Sequence, residues 1–308
     1  MASLRTWFRA TQPRSFVASL VGVALGTAVA WNNTQMFDLA AFLLAALGVV
    51  CLHAATNMSN DSIDFKRGVD DLPTRLVSPF TGGARVLPDA AVSFEAHRRV
   101  WIGFFAAAAL IGIVLALLRP NGWILLVLGG IGGAIGVFYT LPPFALQYHG
   151  VGEIAVAIIF GPLVVLGSYA VQTGAVGWEP LLASIPLGLL VAAFLLVNEM
   201  PEHETDPRGG KRTIPARIGL EKSVTLYEVL VATALIFLVA TSLLRLVPWV
   251  AVIGLVAVLP LARARAVLRT YYREYPAHIA ANAGTIQAVL LLGAGMTAAY
   301  VIAGTTAL

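Results

Sequence analysis

Half of the chain's sixteen acidic residues lie in two short segments, each led by an asparagine. The first runs Asn57-Met-Ser-Asn60-Asp61-Ser-Ile-Asp64-Phe-Lys66-Arg67-Gly68-Val-Asp70-Asp71. The second runs Asn198-Glu199-Met-Pro-Glu202-His203-Glu204-Thr-Asp206 and is followed by Arg208, Lys211 and Arg212. On helices turning about 100° per residue, Asn57, Asn60, Asp61 and Asp64 fall within an arc of about 100°. Asn198, Glu202 and Asp206 fall within about 80° in the same way. Neither arc contains a balancing basic residue, and stacked carboxylates repel unless a cation sits among them. A donor set of oxygen alone suits a hard ion, Mg²⁺ above all, with Mn²⁺ as a substitute. Basic residues follow each cluster: Lys66, Arg67 and Arg75 after the first, Arg208, Lys211 and Arg212 after the second. Carboxylate-held Mg²⁺ flanked by Lys and Arg is an arrangement that grips polyphosphate. A hydrophilic loop at a helix exit would account for one such cluster. Two with the same pattern, Asn, acid at +4, acid at +7 or +8, point to a paired site.

The elements that carry these clusters are apolar. Of 308 residues 58% are hydrophobic and only 12% charged, and mean hydropathy is +0.83. A soluble domain has about 25% charged residues. The composition excludes a disordered chain, a collagen-like fibre and a nucleic-acid-binding module, in spite of a pI near 9.4. The single cysteine, Cys51, excludes a disulfide scaffold or a cysteine metal site and reads as a buried, inert thiol. Runs long enough to cross a bilayer lie near 16–31, 37–56, 99–118, 123–141, 151–172, 180–198, 223–244, 247–262 and 281–303. With nine spans and the N-terminus inside, eighteen of the twenty basic residues are cytoplasmic; Arg119 and Arg245 remain outside. The reading is a multi-pass protein of the cell (inner) membrane, with both acidic clusters cytoplasmic and the C-terminus outside. A ligand held by metal at the lipid boundary would have a phosphate head and a hydrocarbon tail, as a polyprenyl diphosphate does.

The two clusters resemble the aspartate-rich motifs of the UbiA-type intramembrane prenyltransferases. Further resemblance lies in Pro13-Arg14-Ser15-Phe16, in Tyr139-Thr140-Leu-Pro142-Pro143 continuing to Tyr148-His149-Gly150-Val-Gly152-Glu153, and in Gly210-Lys211-Arg212-Thr213 continuing to Arg217-Ile-Gly219. Lys66-Arg67-Gly68-Val69-Asp70 and Thr81-Gly82-Gly83-Ala84-Arg85 are most similar to the dihydroxynaphthoate prenyltransferases of menaquinone synthesis. The chain departs from the family pattern in three places. Glu202 stands where Asp is commoner. The segment Gln147-Tyr148-His149 lacks the usual Lys or Arg, so that Arg75, Arg85 or Lys211 would supply the positive charge. The first motif's second acid, Asp64, stands at +7, as in the menaquinone branch.

The resemblance implies a single all-α domain over 1–308, with pseudo-repeat halves near 1–145 and 146–308. Nine transmembrane helices would surround a central cavity beneath a cytoplasmic cap. It implies that two Mg²⁺ ions bridge a diphosphate to Asp61, Asp64, Glu202 and Asp206, with Asn57 and Asn198 as amide ligands. An aromatic acceptor, dihydroxynaphthoate in the closest branch, would capture the allylic cation. Asn60, Lys66, Arg67, Asp70, Arg75, Lys211 and Arg212 would bind substrate, as would Tyr139, at a helix end beside the cavity. Arg85, with no acid within three residues and a glycine pair before it, would reach an acceptor carboxylate. The loop from Phe65 to His97 reads as a lid hinged at Gly82-Gly83. His53, one turn before Asn57, reads as a packing or supporting residue, and Asn282 as a helix-to-helix hydrogen-bonding group. Two other functions fit parts of the pattern: a terpene cyclase that quenches the cation within its own chain, and a cation-coupled transporter, whose acids should lie nearer the midplane.

Overall fold

The computed structural model describes residues 2–68 and 83–306. Asp70, Arg75 and the first glycine of the expected hinge, Gly82, lie outside the described residues. Within them the regular structure is helical throughout, as lipid demands: only a helix or a closed barrel satisfies its own backbone in hydrocarbon. A short helix α1 (Leu4–Ala10) precedes α2 (Phe16–Thr34), α3 (Leu39–Lys66), α4 (Phe94–Leu118) and α5 (Trp123–Phe138). Then come α6 (Gly152–Ile158), α7 (Val164–Thr173), α8 (Trp178–Glu199), α9 (Ile214–Leu243), α10 (Val258–Tyr271) and α11 (Tyr275–Thr306). Side chains cap the starts: Ser3 accepts from the Thr6 amide, Asp38 from that of Ala41 and Ser93 from that of Ala96. Asp38 also pairs with Arg119 at 2.8 Å, tying the start of α3 to the end of α4.

Among the described residues eight helical segments are long and apolar enough to cross a membrane, against the nine expected. The difference is α5, whose 16 residues reach about 24 Å, short of a hydrocarbon core of about 30 Å. The buried core centres on α8, with Leu187, Leu190 and Leu196 fully enclosed beside Leu25, Leu238 and Leu292; α4 stands at the periphery with almost no buried surface. Close approach depends on glycine. A β-carbon on Gly26 of α2 would come within 2.2 Å of the Val165 carbonyl oxygen, so the small-residue stripe Gly22, Gly26, Ala30 is a packing seam. Between α6 and α7 the turn Ile159–Leu163 widens into a π-turn at Pro162, whose missing N–H breaks the helical ladder.

Two features position the site. First, α3 runs on as one helix well past the expected span end at 56, to Lys66, so Asn57, Asn60, Asp61 and Asp64 do share a helix. Second, the other cluster does not. Helix α8 stops at Glu199, Met200–Glu202 form a 3₁₀ turn, and Asp206–Gly209 form another. Asn198, Glu202 and Asp206 are therefore not stacked on one helix face, contrary to the spacing argument: Pro201 and Pro207 cannot continue the hydrogen-bond ladder. Beneath both clusters lies a cavity of about 1220 Å³ lined by α2 to α8. One of its walls is α5, where Gly129, Gly130 and Gly133 face open space, with nothing within 4 Å of where a β-carbon would sit.

Candidate active site

The acids of α3 are held individually. Asp61 is buried; its Oδ1 accepts from Gln12 Nε2 and its Oδ2 from the Ala84 amide, both at 3.0 Å. Gly83, at φ +66°, makes room for it, since a β-carbon there would lie 2.6 Å from Asp61 Oδ1. Gly83 is thus part of a carboxylate cradle rather than the free hinge expected. Asn57 Nδ2 donates to the Thr11 carbonyl and to Ser15 Oγ, which leaves its amide oxygen available. Asn60 Oδ1 is buried without a hydrogen-bond partner. The segment before α2 thereby closes over the start of the first motif.

Asp64 faces the second cluster. Its Oδ1 accepts from the Tyr148 hydroxyl, and Lys211 Nζ lies 3.1 Å from its Oδ2. Arg67 stacks over the Tyr148 ring at 3.9 Å. Lys211 is buried, which works against its charge, yet Asp64, Asp206 and Glu202 hold its ammonium well above the ordinary lysine range. Of the basic residues that could supply the charge missing from Gln147-Tyr148-His149, Arg75 lies outside the described residues, Arg85 pairs with Asp89, and Lys211 contacts a motif acid, Asp64. Asp206 is fully buried; Oδ2 accepts from Thr213 Oγ1 at 3.1 Å, and Oδ1 has no partner. Burial pushes its carboxyl up to about 7, with Glu202 and Asp64 adding to the shift and Lys211 opposing it. Asn198 Oδ1 accepts from Asn282 Nδ2 of α11 at 3.2 Å, so the helix-to-helix bond expected of Asn282 braces a motif residue.

Other expected residues stand apart. Lys66 and Arg212 are exposed, and Arg212 contacts Tyr148 through its backbone amide. Arg85 forms a salt bridge with Asp89 at 3.4 Å, an acid four residues on, and is not among the residues lining the cavity. Tyr139 is buried and does line it. Sequence reasoning missed several residues that the fold brings in: Gln12 and Tyr148 on the acids, and Arg5, Arg9 and Arg14, which line the cavity on the motif side. It also missed two carboxylates behind the site, Glu153 and Glu199, both buried, with Gln147 Nε2 3.5 Å from Glu199. Three arginines in the first fourteen residues were a visible signal; nothing in the spacing pointed to Glu153.

The donor set fits a hard cation. Asp206 Oδ1 and Asn60 Oδ1 are buried oxygens without donors among the described residues. Among the described residues no three acids, histidines or cysteines converge on one point.

Residues 19–286 match the UbiA prenyltransferase family. Among curated relatives, the chain is 35% identical over 266 residues to the 1,4-dihydroxy-2-naphthoate octaprenyltransferase of Mycobacterium tuberculosis, covering 85% of each chain. It is 32% identical over 246 residues to the enzyme of the same name from Bacillus subtilis, covering 80% of this chain and 76% of that one. The fold is similar to that of a UbiA homolog from Archaeoglobus fulgidus solved with DMAPP and Mg²⁺. The TM-score is 0.69 at 17% identity, over 98% of this chain and 100% of the other.

Proposed function

The chain belongs to the UbiA prenyltransferase family, and from that premise we propose that it transfers a prenyl group from a polyprenyl diphosphate to 1,4-dihydroxy-2-naphthoate. The observation that carries the reading is the meeting of Asp64 with Lys211, near Asp206 and Glu202, in a fold whose apolar cavity is lined by Asn57 and Asn198, the leading residues of the two motifs. The relatives named for this reaction support the acceptor. Asp61, Asp64, Glu202 and Asp206, with the amide oxygens of Asn57 and Asn198, would hold two Mg²⁺ ions, and α5, whose apolar run continues past its helix end to Leu141, would make a ninth crossing of the inner membrane. The charge asymmetry orients the N-terminus and the site toward the cytoplasm.

When bound, the metal neutralises the charge that develops on the departing diphosphate. The chain's own residues do the rest. Lys211 and Arg67 add fixed positive charge beside the leaving group. As the C1–O bond breaks, its electron pair goes to the diphosphate. The electron-rich ring attacks C1 and regains aromaticity by losing the proton or the carboxylate, as CO₂, on the attacked carbon. The apolar cavity wall excludes water, which would otherwise capture the allylic cation. Tyr139, at the cavity wall, shields the cation.

The test is product analysis. Purified protein with Mg²⁺, a prenyl diphosphate and 1,4-dihydroxy-2-naphthoate should give a prenylated naphthalene by mass spectrometry, and EDTA should abolish it. A cyclic hydrocarbon or alcohol formed without acceptor would assign a cyclase instead. The Asp206 carboxyl adds a pH dependence with a definite sign. A ligand that titrates near 7 must lose its proton to bind metal. The half-saturating Mg²⁺ concentration should therefore rise, by up to about tenfold per pH unit, as pH falls from 7 to 6. Above pH 8 it should be flat. Titrating activity with Mg²⁺ at several pH values checks this.

A further inference from the structure

One polar pair on the cavity wall takes no part in the chemistry described so far. His53 Nδ1 lies 2.8 Å from Ser19 Oγ, and both residues line the cavity. Ser19 is fully buried, and this nitrogen is the sole hydrogen-bond partner of its hydroxyl among the described residues. A serine hydroxyl carries one donor and two acceptor lone pairs, and a neutral imidazole one donor and one acceptor. The tautomer assigned here is the one in which Ser19 donates and Nδ1 accepts, with the ring proton of the neutral imidazole on Nε2. Phe16 and Phe160 hold the ring between them, with centroids 5.4 and 4.8 Å away and tilts of 59° and 51°. His53 is partly accessible, and among the described residues only its Nδ1 is hydrogen-bonded. The wall thus offers one oriented N–H donor among aromatic faces.

The height of this donor is what gives it a use. His53 precedes Asn57 by one turn of α3, about 6 Å along the axis toward the membrane interior. In an allylic diphosphate the reacting carbon is bonded directly to a diphosphate oxygen. A ring poised to attack that carbon lies within about 3–3.5 Å of it. With the diphosphate at the two acidic clusters, the acceptor ring falls about one turn below them, level with His53. We propose that His53, oriented by Ser19 and flanked by Phe160, is the acceptor subsite. Its Nε2–H donates a hydrogen bond to a ring hydroxyl oxygen of a planar hydroxyaromatic and turns the nucleophilic carbon toward C1. This rests on the transferase reading above.

Steady-state kinetics on three variants in lipid bilayers test it. His53→Leu removes the donor and should raise the acceptor KM at least about tenfold while the prenyl diphosphate KM stays within about twofold. His53→Gln restores an N–H donor at similar reach and should recover most of the loss. Ser19→Ala frees the imidazole to change tautomer and should raise the acceptor KM alone, by less than His53→Leu. Should His53→Leu fail to fold, the other two variants carry the test. Equal effects on both substrates, or none on either, with wild-type transfer intact, would overturn the subsite and leave the transferase reading standing. A wild-type protein that alkylates no aromatic acceptor would overturn both.

Discussion

Asp206→Ala should lower kcat/KM by on the order of a thousandfold, the scale seen when a preorganised group that stabilises transition-state charge is removed. Stability should not fall with it. Asp206 is fully buried, only one of its oxygens is hydrogen-bonded, and burial with Glu202 and Asp64 opposes its charge by more than Lys211 and Thr213 favour it. Taking it away removes the cost of burying that group, which outweighs the lost attraction to Lys211, so the variant should melt at or slightly above the wild-type temperature in EDTA. Mg²⁺ should then stabilise it less than it stabilises the wild type, because a ligand is gone. Asp206→Asn should behave alike, since it keeps the shape and loses the charge. Melting curves with and without Mg²⁺, beside single-turnover assays, separate the two effects. Activity within tenfold of wild type in both variants would mean that Asp206 is no ligand.

Lys211→Met is expected to do the reverse, with a large cost to the fold. Lys211 and Asp64 are each about 3% exposed and 3.1 Å apart. Removing one partner of a buried pair leaves an uncompensated charge, at a cost of about 3–5 kcal/mol. Here Asp64 would keep only the Tyr148 hydroxyl, with Asp206 and Glu202 close by. The variant should melt several degrees lower in EDTA. Mg²⁺ with inorganic diphosphate should recover more of that loss than it adds to the wild type, since external cations replace the missing one. Equal melting of variant and wild type in EDTA would show that the ammonium is not what neutralises Asp64.

What could be read from the sequence follows the regularity of the backbone. Helix α3 is continuous through Lys66, so helical spacing correctly put Asn57, Asn60, Asp61 and Asp64 on one element. The same arithmetic failed at Asn198, Glu202 and Asp206, because Pro201 and Pro207 break the helix and the chain turns instead. Spacing locates side chains only while the repeat persists. Contacts across the fold were out of reach for the same reason. Gln12 meets Asp61 over a separation of 49 residues, and Lys211 meets Asp64 over 147. Composition settled the membrane character and the rough position of each span, but not the shortness of α5, whose apolar run extends past its helix end into Tyr139 and Leu141. Arg85 shows a narrower limit: a window of three residues stopped one short of Asp89, its salt-bridge partner.

The glycines of α5 have a price in helix stability. Glycine in a helix interior costs about 1 kcal/mol relative to alanine, and Gly129, Gly130 and Gly133 have no close neighbour that would forbid a methyl group. Three alanines would therefore strengthen the helix by roughly 2–3 kcal/mol without a steric clash. What they would remove is room. The width of the cavity along this wall is maintained by side chains that are absent, so it can be narrowed in single-methyl steps while every contact elsewhere is left alone. Substrate gauge and thermal robustness are thus set against each other on one sixteen-residue helix: a protein of this shape hardened for heat at these positions would accept a slimmer or shorter prenyl chain.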